Sequence, residues 1–422
     1  MRVLFVTYGE KTQFYGMVQL ACALFSAGHE VRVASEPALS EVITDAGLTA
    51  VPVGRDSELY RIVYTFAGRE NVRWSTTAPP FHLVDAPAEK ITYADLQAGY
   101  HETVRWWWRL VNDPMVPDLV EFCRAWRPDL VLWEPVTYAA PIAATLTGAA
   151  HARMLWGLDV FGHMRGHYLR LRDQEPAVPG GDTLAGWLDM VAGKYGGAFS
   201  EEMTSGHFTI DQLPPTMRLD TGLPAVSMRY VPYGGRSVVP RWLWDPPERP
   251  RIGFTLGTSA VERMGGYVVS VDELLGALDG LDVEIVATVP AEEQDKLGTL
   301  PPNVRLEEFV PLQALASTCT AMISHGGWGT ILTTGLAGVP QLTLTHQFDA
   351  PILGRKLAEQ GGALSIEAKD VTGDTMRALL TRLLTEPSFT AGAASFREQM
   401  LAMPTPADLV PELERRVAEH RS

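Results

Sequence analysis

The segment Ser324-His325-Gly326-Gly327-Trp328-Gly329-Thr330 carries the clearest chemical signal in this sequence. A short apolar run, AMIS, precedes it and predicts a strand, and the run GTILTTGLA predicts a helix that begins at once. Glycines let backbone amides approach an anion closely, and a helix N-terminus adds N–H groups and a favourable dipole. With a ring N–H of His325 and the hydroxyl of Thr330, they predict a phosphate-binding turn without lysine. The alternative is a tight strand–helix turn that only needs small residues.

A second glycine turn, Leu256-Gly257-Thr258-Ser259, follows the first strand-like run of the second half of the chain. By itself it is best explained as an ordinary turn between a strand and a helix. Its position is informative, because the first such turn of a doubly wound domain faces the same edge as the 324–330 segment.

Several motifs that define other chemistries are absent from the sequence. There is no GxxxxGK[ST] phosphate-binding loop, no GxSxG nucleophile turn and no HExxH zinc motif. No Asp-x-Asp pair occurs either, although that pair is the usual metal ligand for a nucleotide diphosphate. A diphosphate would therefore be held by amides and hydroxyls, without a dedicated metal.

Strand-like and helix-like runs alternate around these turns. The first part has strands at Arg2–Thr7, Glu30–Ser35, Leu130–Trp133 and Ala152–Trp156, and helices at Met17–Ala27, Leu39–Ala46 and Tyr138–Thr147. The second part continues with Arg251–Leu256, Val271–Leu278, Val283–Thr288, Ala321–Ser324, Gly329–Ala337 and Gln341–Leu344. This alternation predicts an α/β protein with two doubly wound parallel sheets.

The domain boundary is expected where the alternation stops. Residues 216–250 are rich in Pro and Gly and show no helical period, which predicts a linker. We therefore expect an N-terminal domain at 1–215 and a C-terminal domain at 251–422, whose last helix could return to the first domain. Paired domains of this kind bind ligands in the cleft between them.

A long segment, 54–113, interrupts the first domain and contains Trp106-Trp107-Trp108. Consecutive helical residues point in different directions, so at least one of the three rings should face outward. The simpler interpretation is one helix with core-facing and partly exposed rings. The other is the wall of an acceptor pocket or a surface for a partner protein.

Composition limits the class of protein. The 422 residues exceed what one hydrophobic core usually supports, which favours two domains. With 35 Lys and Arg against 50 Asp and Glu, the formal charge of −15 argues against a nucleic-acid or membrane-surface binder. The sequence shows no signal peptide and no apolar run of about 18 residues. The widely spaced Cys22, Cys123 and Cys319 fit a reducing cytoplasm.

Taken together, these segments make the chain resemble the GT-B nucleotide-sugar glycosyltransferases of bacterial antibiotic biosynthesis. The matching segments include MRVLFVTYGEKTQFYGMVQLACAL, DAGLTAVPVG, WRPDLVLWEPVTYAAPIAA, IDQLPPTMRLDTG, GFTLGTS, VRLEEFVPL, HGGWGT and GVPQLTLTHQFDAP. Among them WRPDLVLWEP, LDTG and the further segment MRYVPYGG look most like the macrolide deoxysugar transferases, such as the desosaminyl and forosaminyl enzymes. The implied fold is GT-B, with two Rossmann-like domains facing a central cleft.

The resemblance implies a donor site for a TDP-sugar in the C-terminal domain. Its diphosphate would be held by Thr258, Ser259, His325, Gly327, Trp328, Gly329 and Thr330. The thymine would meet the backbone of Val310, next to Pro311, and the sugar would lie along Phe348 and Asp349. Many relatives have Gln after that Asp, where this chain has Ala350. The missing amide fits a deoxysugar with fewer hydroxyls, and neutral drift is the other explanation.

One position departs from the family's pattern. Many relatives carry a His or an Asp in the loop after the first strand as general base, and the matching residue here is Gln13, which cannot take up a proton. Three interpretations stay open: Glu134 or Glu10 replaces the base, the acceptor needs little deprotonation, or the protein is a weak or inactive homologue. Glu134 is favoured, and a buried Glu that fixes the following loop is its other interpretation. Asp159 and His163 are further candidates.

The resemblance thus implies an inverting, metal-independent transfer of a deoxysugar from a TDP-sugar co-substrate, without a cofactor, to a polyketide or other apolar aglycone. The aglycone would be lined by Phe14, Tyr15, Trp106 to Trp108 and Trp156. A non-catalytic nucleotide-sugar binder and a GT-B nucleotide-sugar 2-epimerase are the alternatives. Many such transferases need a cytochrome-P450-like auxiliary protein, for which the 54–113 segment is the expected surface. The sugar, the aglycone, the type of glycosidic bond and the oligomeric state, a homodimer included, stay open.

Overall fold

Two parallel β-sheets organise the protein. A computed structural model describes residues 1–57, 59, 61–62, 78–174, 181–346 and 348–421. The chain divides into two units near residue 235, and the residues from 403 onward belong to the first unit again. Within these described residues, the sheet of the first unit has seven strands and that of the second has six.

The first sheet contains β1 (Arg2–Val6), β2 (Glu30–Ser35), β3 (Ala50–Pro52), β4 (Leu130–Trp133), β5 (Ala150–Met154), β6 (Phe208–Asp211) and β7 (Ala225–Ser227). Its order is β3-β2-β1-β4-β5-β6-β7, with all neighbours parallel. The order reverses at β1, where Val3 pairs with Val31 on one side and Leu130 on the other. In open sheets of this kind, ligands bind at the carboxyl ends of the strands beside such a reversal.

The helices described in the first unit before residue 235 are α1 (Lys11–Ser26), α2 (Ser40–Asp45), α3 (Tyr93–Thr103), α4 (Arg109–Trp126), α5 (Ala139–Thr147), α6 (Val160–Gln174), α7 (Thr183–Gly193) and α8 (Glu202–Ser205). Helix α1 buries Phe14, Leu20 and Leu24 in the core that also contains Val3 and Phe5 of β1. This packing holds the N-terminus of α1 at the carboxyl end of β1.

The second sheet contains β8 (Arg251–Thr255), β9 (Glu284–Thr288), β10 (Val304–Glu307), β11 (Ala321–Ser324), β12 (Gln341–Thr345) and β13 (Ala363–Glu367). Its order is β10-β9-β8-β11-β12-β13, again fully parallel. The reversal lies between β8 and β11, where Thr255 pairs with Ser324. The two sheets therefore share one winding pattern.

The second unit has helices α9 (Ser259–Met264), α10 (Val271–Gly276), α11 (Ala291–Gln294), α12 (Leu312–Ala316), α13 (Trp328–Ala337), α14 (Ala350–Glu359), α15 (Gly373–Thr385) and α16 (Pro387–Leu401). The last helix, α17 (Pro406–Arg421), places Leu409, Leu413 and Val417 in the same core as α1. Among the described residues, none of the helices is both long and apolar enough to cross a membrane.

The predicted α/β architecture is confirmed, and two predicted boundaries are wrong. Helix α1 begins at Lys11 rather than Met17, because Phe14 and Gly16 are buried and stabilise two turns that look polar in sequence. The strand predicted at Ala152–Trp156 lies at Ala150–Met154. The prediction begins two residues late because the strand opens with Ala150 and the polar residue His151, which is buried in the structure.

The three consecutive tryptophans lie in one helical stretch, as predicted. A π-helical turn, Val104–Trp108, joins α3 to α4 without a break. Trp108 is 1% exposed and Trp106 is 42% exposed, so one ring does face outward. Residues 58, 60 and 63–77 of the aromatic segment lie outside the described residues, and so does that part of the predicted partner surface.

Candidate functional site

The two glycine turns come together at the reversal of the second sheet. Thr258 and Ser259 follow β8, and the 324–330 segment follows β11, which is its direct neighbour. Neighbouring strands lie about 4.8 Å apart, so parallel pairing places the two turns side by side at one edge. The structure therefore brings together the residues that the sequence analysis assigned to a diphosphate.

The ring of His325 is held between two glycines. A Cβ atom built on Gly257 would lie 2.8 Å from Cε1 of His325, and one built on Gly327 would lie 2.3 Å from its Nε2. Gly257 also has a φ of 71°, in the left-handed region that favours glycine. These glycines are required so that the imidazole can approach the backbone of both turns.

Burial sets the charge of His325. Its Nδ1 atom is inaccessible to solvent and has no hydrogen-bond partner within the described residues. Burial lowers the pKa of His325 to about 4, which the backbone of Thr255 offsets only in part. The imidazole is therefore neutral near pH 7 and can donate a single ring N–H.

Backbone amides supply further donors at this edge. Helix α13 begins after Gly327, which has no side chain that could cap it. Amides of a first helical turn, here those of Gly329 and Thr330, have no acceptor within the helix. The side chain of Thr258 is exposed and those of Ser259 and Thr330 are half-buried, which leaves their hydroxyls within reach of a ligand. The set is suited to an anion that lies across the helix start.

The other predicted donor residues follow the strands on either side. Phe348 and Asp349 come after β12, the next strand beyond β11, and Phe348 has a φ of 52°, in the left-handed region. Asp349 is buried and precedes the first residue of α14, Ala350. Val310 follows β10 at the far end of the sheet, and its side chain is buried, so only its backbone could meet a base.

The reversal of the first sheet is occupied by a network of polar side chains. Glu134 directly follows β4 and is completely buried. Its Oε2 accepts hydrogen bonds from the Val136 amide and the Trp156 indole N–H, both at 3.1 Å. Its Oε1 accepts from the hydroxyl of Thr137, which in turn accepts from the Tyr8 amide at 3.1 Å. The network joins the ends of β1, β4 and β5.

The pKa of Glu134 would suit a general base, but its carboxylate is closed off from solvent. Burial raises its pKa to about 7, and the hydrogen bonds from Thr137, Val136 and Trp156 oppose that shift. A general base must come within hydrogen-bonding reach of the proton that it removes. Because both oxygens are occupied and no part of the residue is exposed, the contacts favour a structural role of Glu134 over that of a base.

Gln13 lies in the first turn of α1, not in a loop as the sequence suggested, because that helix begins at Lys11. Its amide nitrogen donates to the Tyr8 hydroxyl at 3.1 Å. Its Oε1 is buried and has no partner among the described residues. Glu10 immediately precedes the helix and is also buried. The amide of Gln13 thus retains one unused hydrogen-bonding atom.

The remaining predicted residues are spread over the first unit. The ring of Phe14 is fully buried in the core, so it offers no surface to an aglycone, whereas Tyr15 and Trp156 are half-buried. Asp159 forms a two-pronged ion pair with Arg153, at 3.0 and 2.6 Å, which assigns it to structure. Trp106 lies in the π-helical turn that follows α3, which is a different element from those that carry this network.

Comparison with known families decides what these sites belong to. The N-terminal domain of the erythromycin biosynthesis protein CIII-like family matches residues 22–257, and its C-terminal domain matches residues 272–415. The two matches span most of the sequence. The chain belongs to the EryCIII-like family.

Relatives of this EryCIII-like protein match it from end to end. The 10-deoxymethynolide desosaminyltransferase of Streptomyces venezuelae is 46% identical over 100% of this chain and 98% of its own length. The aklavinone 7-beta-L-rhodosaminyltransferase of Streptomyces galilaeus is 45% identical over 100% and 97%. The solved structure of glycosyltransferase VinC in complex with dTDP has a TM-score of 0.87 at 39% identity, over 99% of this chain and 100% of that one.

The EryCIII-like chain is therefore a glycosyltransferase with the GT-B fold, which decides against the 2-epimerase and the non-catalytic binder. Tyr8 and Thr137 link Gln13 to Glu134 and are not among the residues predicted from the sequence. Their positions were the signal by which the sequence could have revealed them. Tyr8 directly follows the first predicted strand, and Thr137 lies three residues after Glu134. Within the described residues no cluster of three or more His, Cys, Asp or Glu is arranged to hold a metal ion.

Proposed function

We propose that this protein transfers a deoxysugar from a TDP-sugar to a hydroxyl of an apolar natural-product aglycone, with inversion at the anomeric carbon and without a metal. The observation that carries the proposal is the turn in which His325 is held between Gly257 and Gly327 beside an uncapped helix start. The relatives support the substrate classes, since one is named as a TDP-daunosamine transferase and VinC was solved with dTDP.

The donor side would act by stabilising the leaving diphosphate. As the glycosidic bond to the sugar breaks, negative charge grows on the diphosphate oxygens. The N–H of neutral His325, the amides of Gly329 and Thr330 and nearby hydroxyls would already point at that charge, so little reorganisation is needed. Loss of a single preorganised donor typically lowers turnover by about 10²–10³-fold. The donors are amides, hydroxyls and an imidazole, which fits the lack of any Asp-x-Asp pair in the sequence.

The acceptor side would position a hydroxyl with Gln13. The unused Oε1 of Gln13 can accept a hydrogen bond from that hydroxyl, and the Tyr8 contact holds the amide in place. Tyr15 and Trp156 would supply apolar contact to the aglycone, and Glu134 would orient Trp156 through its indole N–H. Gln13 would then align the nucleophile without deprotonating it. As the new bond to the anomeric carbon forms and the bond to the diphosphate breaks, the hydroxyl proton would pass to the leaving diphosphate.

Product analysis tests the function directly. Purified protein is incubated with a panel of TDP-deoxysugars and polyketide aglycones, and the products are analysed by mass spectrometry. A glycoside with release of TDP, and inverted anomeric configuration by NMR, is expected. Hydrolysis or binding of TDP-sugars without any glycoside, across the whole panel, would contradict the proposal.

An auxiliary protein is a further part of the proposal. Trp106 is the exposed ring of the π-helical turn, and the guanidinium of Arg105 lies 4.9 Å from its centre. Exposed aromatic and arginine side chains are frequent anchors of protein interfaces. If a P450-like activator binds here, W106A should leave the unstimulated rate unchanged and reduce the stimulated one. Full activity of the purified enzyme alone would remove the need for such a partner.

A further inference from the structure

Two histidines on one face of α6 serve neither proposed substrate site. His163 and His167 are four residues apart, so the helical repeat stacks them on the same side. Their Nε2 atoms lie 3.2 Å apart, and both side chains are half-buried. The spacing is that of the two metal-binding histidines in HExxH helices, with Met164 in place of the Glu. The pair therefore has the sequence spacing of a chelating site.

The separation of the two nitrogens also fits one shared cation. With metal–nitrogen bonds of about 2.0–2.1 Å, two ligands are about 2.9 Å apart at a right angle and about 3.3–3.4 Å apart at the tetrahedral angle. The observed 3.2 Å lies between these limits. Modest rotation of the rings would direct both lone pairs at the same point.

His163 is already in the tautomer that a ligand needs. Its Nδ1 lies 3.1 Å from the backbone carbonyl oxygen of Asp220. A carbonyl only accepts, so Nδ1 carries the hydrogen and Nε2 carries the lone pair. A backbone carbonyl in this position is a common partner of metal-bound histidine, because it fixes the ring and its tautomer.

His167 is held in the opposite tautomer by Arg170. A guanidinium nitrogen of Arg170 lies 3.0 Å from Nδ1 of His167 and can only donate. Nε2 of His167 therefore carries the hydrogen and donates it to His163. Binding a cation would move that proton to Nδ1 and release Arg170, which is exposed and can turn into solvent. Arg170 thus competes with a metal for His167.

We propose that His163 and His167 form a two-histidine site for a divalent transition-metal ion such as Zn²⁺ or Cu²⁺, with Arg170 as an internal competitor. Imidazole ligands suit these ions, whereas Mg²⁺ and Ca²⁺ prefer oxygen. No third His, Cys, Asp or Glu is in place among the described residues, so water would complete the coordination. The site is distinct from the proposed transfer reaction, which uses neither histidine.

Calorimetric titration of the tag-free, full-length protein with ZnCl₂ tests the site, with MgCl₂ as the control ion. The wild type should bind Zn²⁺ at this site and show no corresponding heat with Mg²⁺. H163A and H167A should each weaken that site by more than the roughly 10–100-fold that follows loss of an outer partner. H82A, which removes an exposed histidine elsewhere, should bind like the wild type.

Substitution of Arg170 should change the affinity for Zn²⁺ in the opposite direction. R170A removes the competitor and should tighten Zn²⁺ binding, whereas loss of binding in R170A would overturn the proposed competition. Thermal unfolding shows whether each variant folds, and H167Q replaces H167A if the latter does not. Zn²⁺ binding that survives both α6 substitutions but is lost in H420A would overturn the site, because His420 stacks on His207 in a separate cluster.

Discussion

The reversal points of the two sheets occupy equivalent places in two similarly wound folds, yet they are built from different groups. Between β8 and β11 the edge consists of glycines, helix-start amides and one half-buried imidazole. Between β1 and β4 it consists of the side chains of Glu134, Thr137 and Trp156, whose hydrogen bonds are made to one another and to the backbone amides of Tyr8 and Val136. The first arrangement presents donors to an outside anion, whereas the second closes upon itself. The comparison teaches that equal topology does not confer equal chemistry.

The largest expected effect falls on the second sheet. H325A removes the ring N–H that would meet the leaving diphosphate, so turnover should fall by about 10²–10³-fold. The unfolding temperature should change little, because the surrounding turns keep their glycines. Steady-state kinetics and thermal unfolding measure both, and H101A, which removes an exposed histidine of α3, is the control. Near-normal turnover of H325A would break the assignment of this edge to the donor.

A glycine pair separates backbone strain from displacement of His325. Gly257 and Gly280 have nearly equal φ angles of 71° and 72°, but only Gly257 has the His325 ring next to it. G280A should lose about 1–2 kcal/mol of stability, because alanine is strained in this region, and G257A should lose more, because its Cβ would also displace the His325 ring. Only G257A should also bind TDP about tenfold more weakly.

Chemical denaturation and TDP titration measure the two effects separately. Equal TDP affinities of G257A and G280A would mean that the position of the His325 ring does not matter for the donor.

The pH dependence of stability tests the environment of Glu134 in the first sheet. Its pKa is raised to about 7, so the folded protein keeps the proton to a higher pH than the unfolded chain does. This contribution to stability is present below the ordinary Glu pKa and is lost as the pH rises through 7, by about 3 kcal/mol in all. The stability of the wild type relative to E134Q should therefore be greater at pH 4.5 than at pH 7.5.

Turnover of E134Q distinguishes the two roles of this carboxylate. If Glu134 holds the loop, kcat should fall only several-fold, with E10Q as the matched carboxylate control. A fall of about 10²–10⁴-fold in E134Q, with E10Q unchanged, would instead identify Glu134 as the general base.

The smallest effect is expected at Gln13. Q13L removes the amide that would accept from the aglycone hydroxyl, a hydrogen bond of about 0.5–1.5 kcal/mol, so KM for the aglycone should rise a few-fold. Stability should fall by about 0.5–1.5 kcal/mol, because leucine has a similar size but the buried Tyr8 hydroxyl loses the hydrogen bond from the Gln13 amide. Q19L on the same helix is the control. An unchanged KM in Q13L would show that the acceptor is positioned elsewhere.

The two sites differed in how far they could be predicted from sequence. The edge of the second sheet depends on backbone conformation, and glycines at fixed spacing report that conformation directly, as in Gly257 and Gly327. The edge of the first sheet depends on contacts between residues far apart in the chain, such as the Tyr8 amide with Thr137. No local pattern reports such contacts, so the hydrogen bonds of Glu134 could not be predicted.

By itself the sequence determined the alternation of strands and helices, the division into two sheets and the phosphate-like turn at 324–330. Those features follow from local periodicity and from glycine, whose effects act within a few residues. Only the tertiary structure decided that α1 includes Gln13, that Glu134 has no free oxygen and that His163 and His167 stand 3.2 Å apart. Burial and side-chain partners arise from packing between distant segments, and these set the pKa and the access of each group.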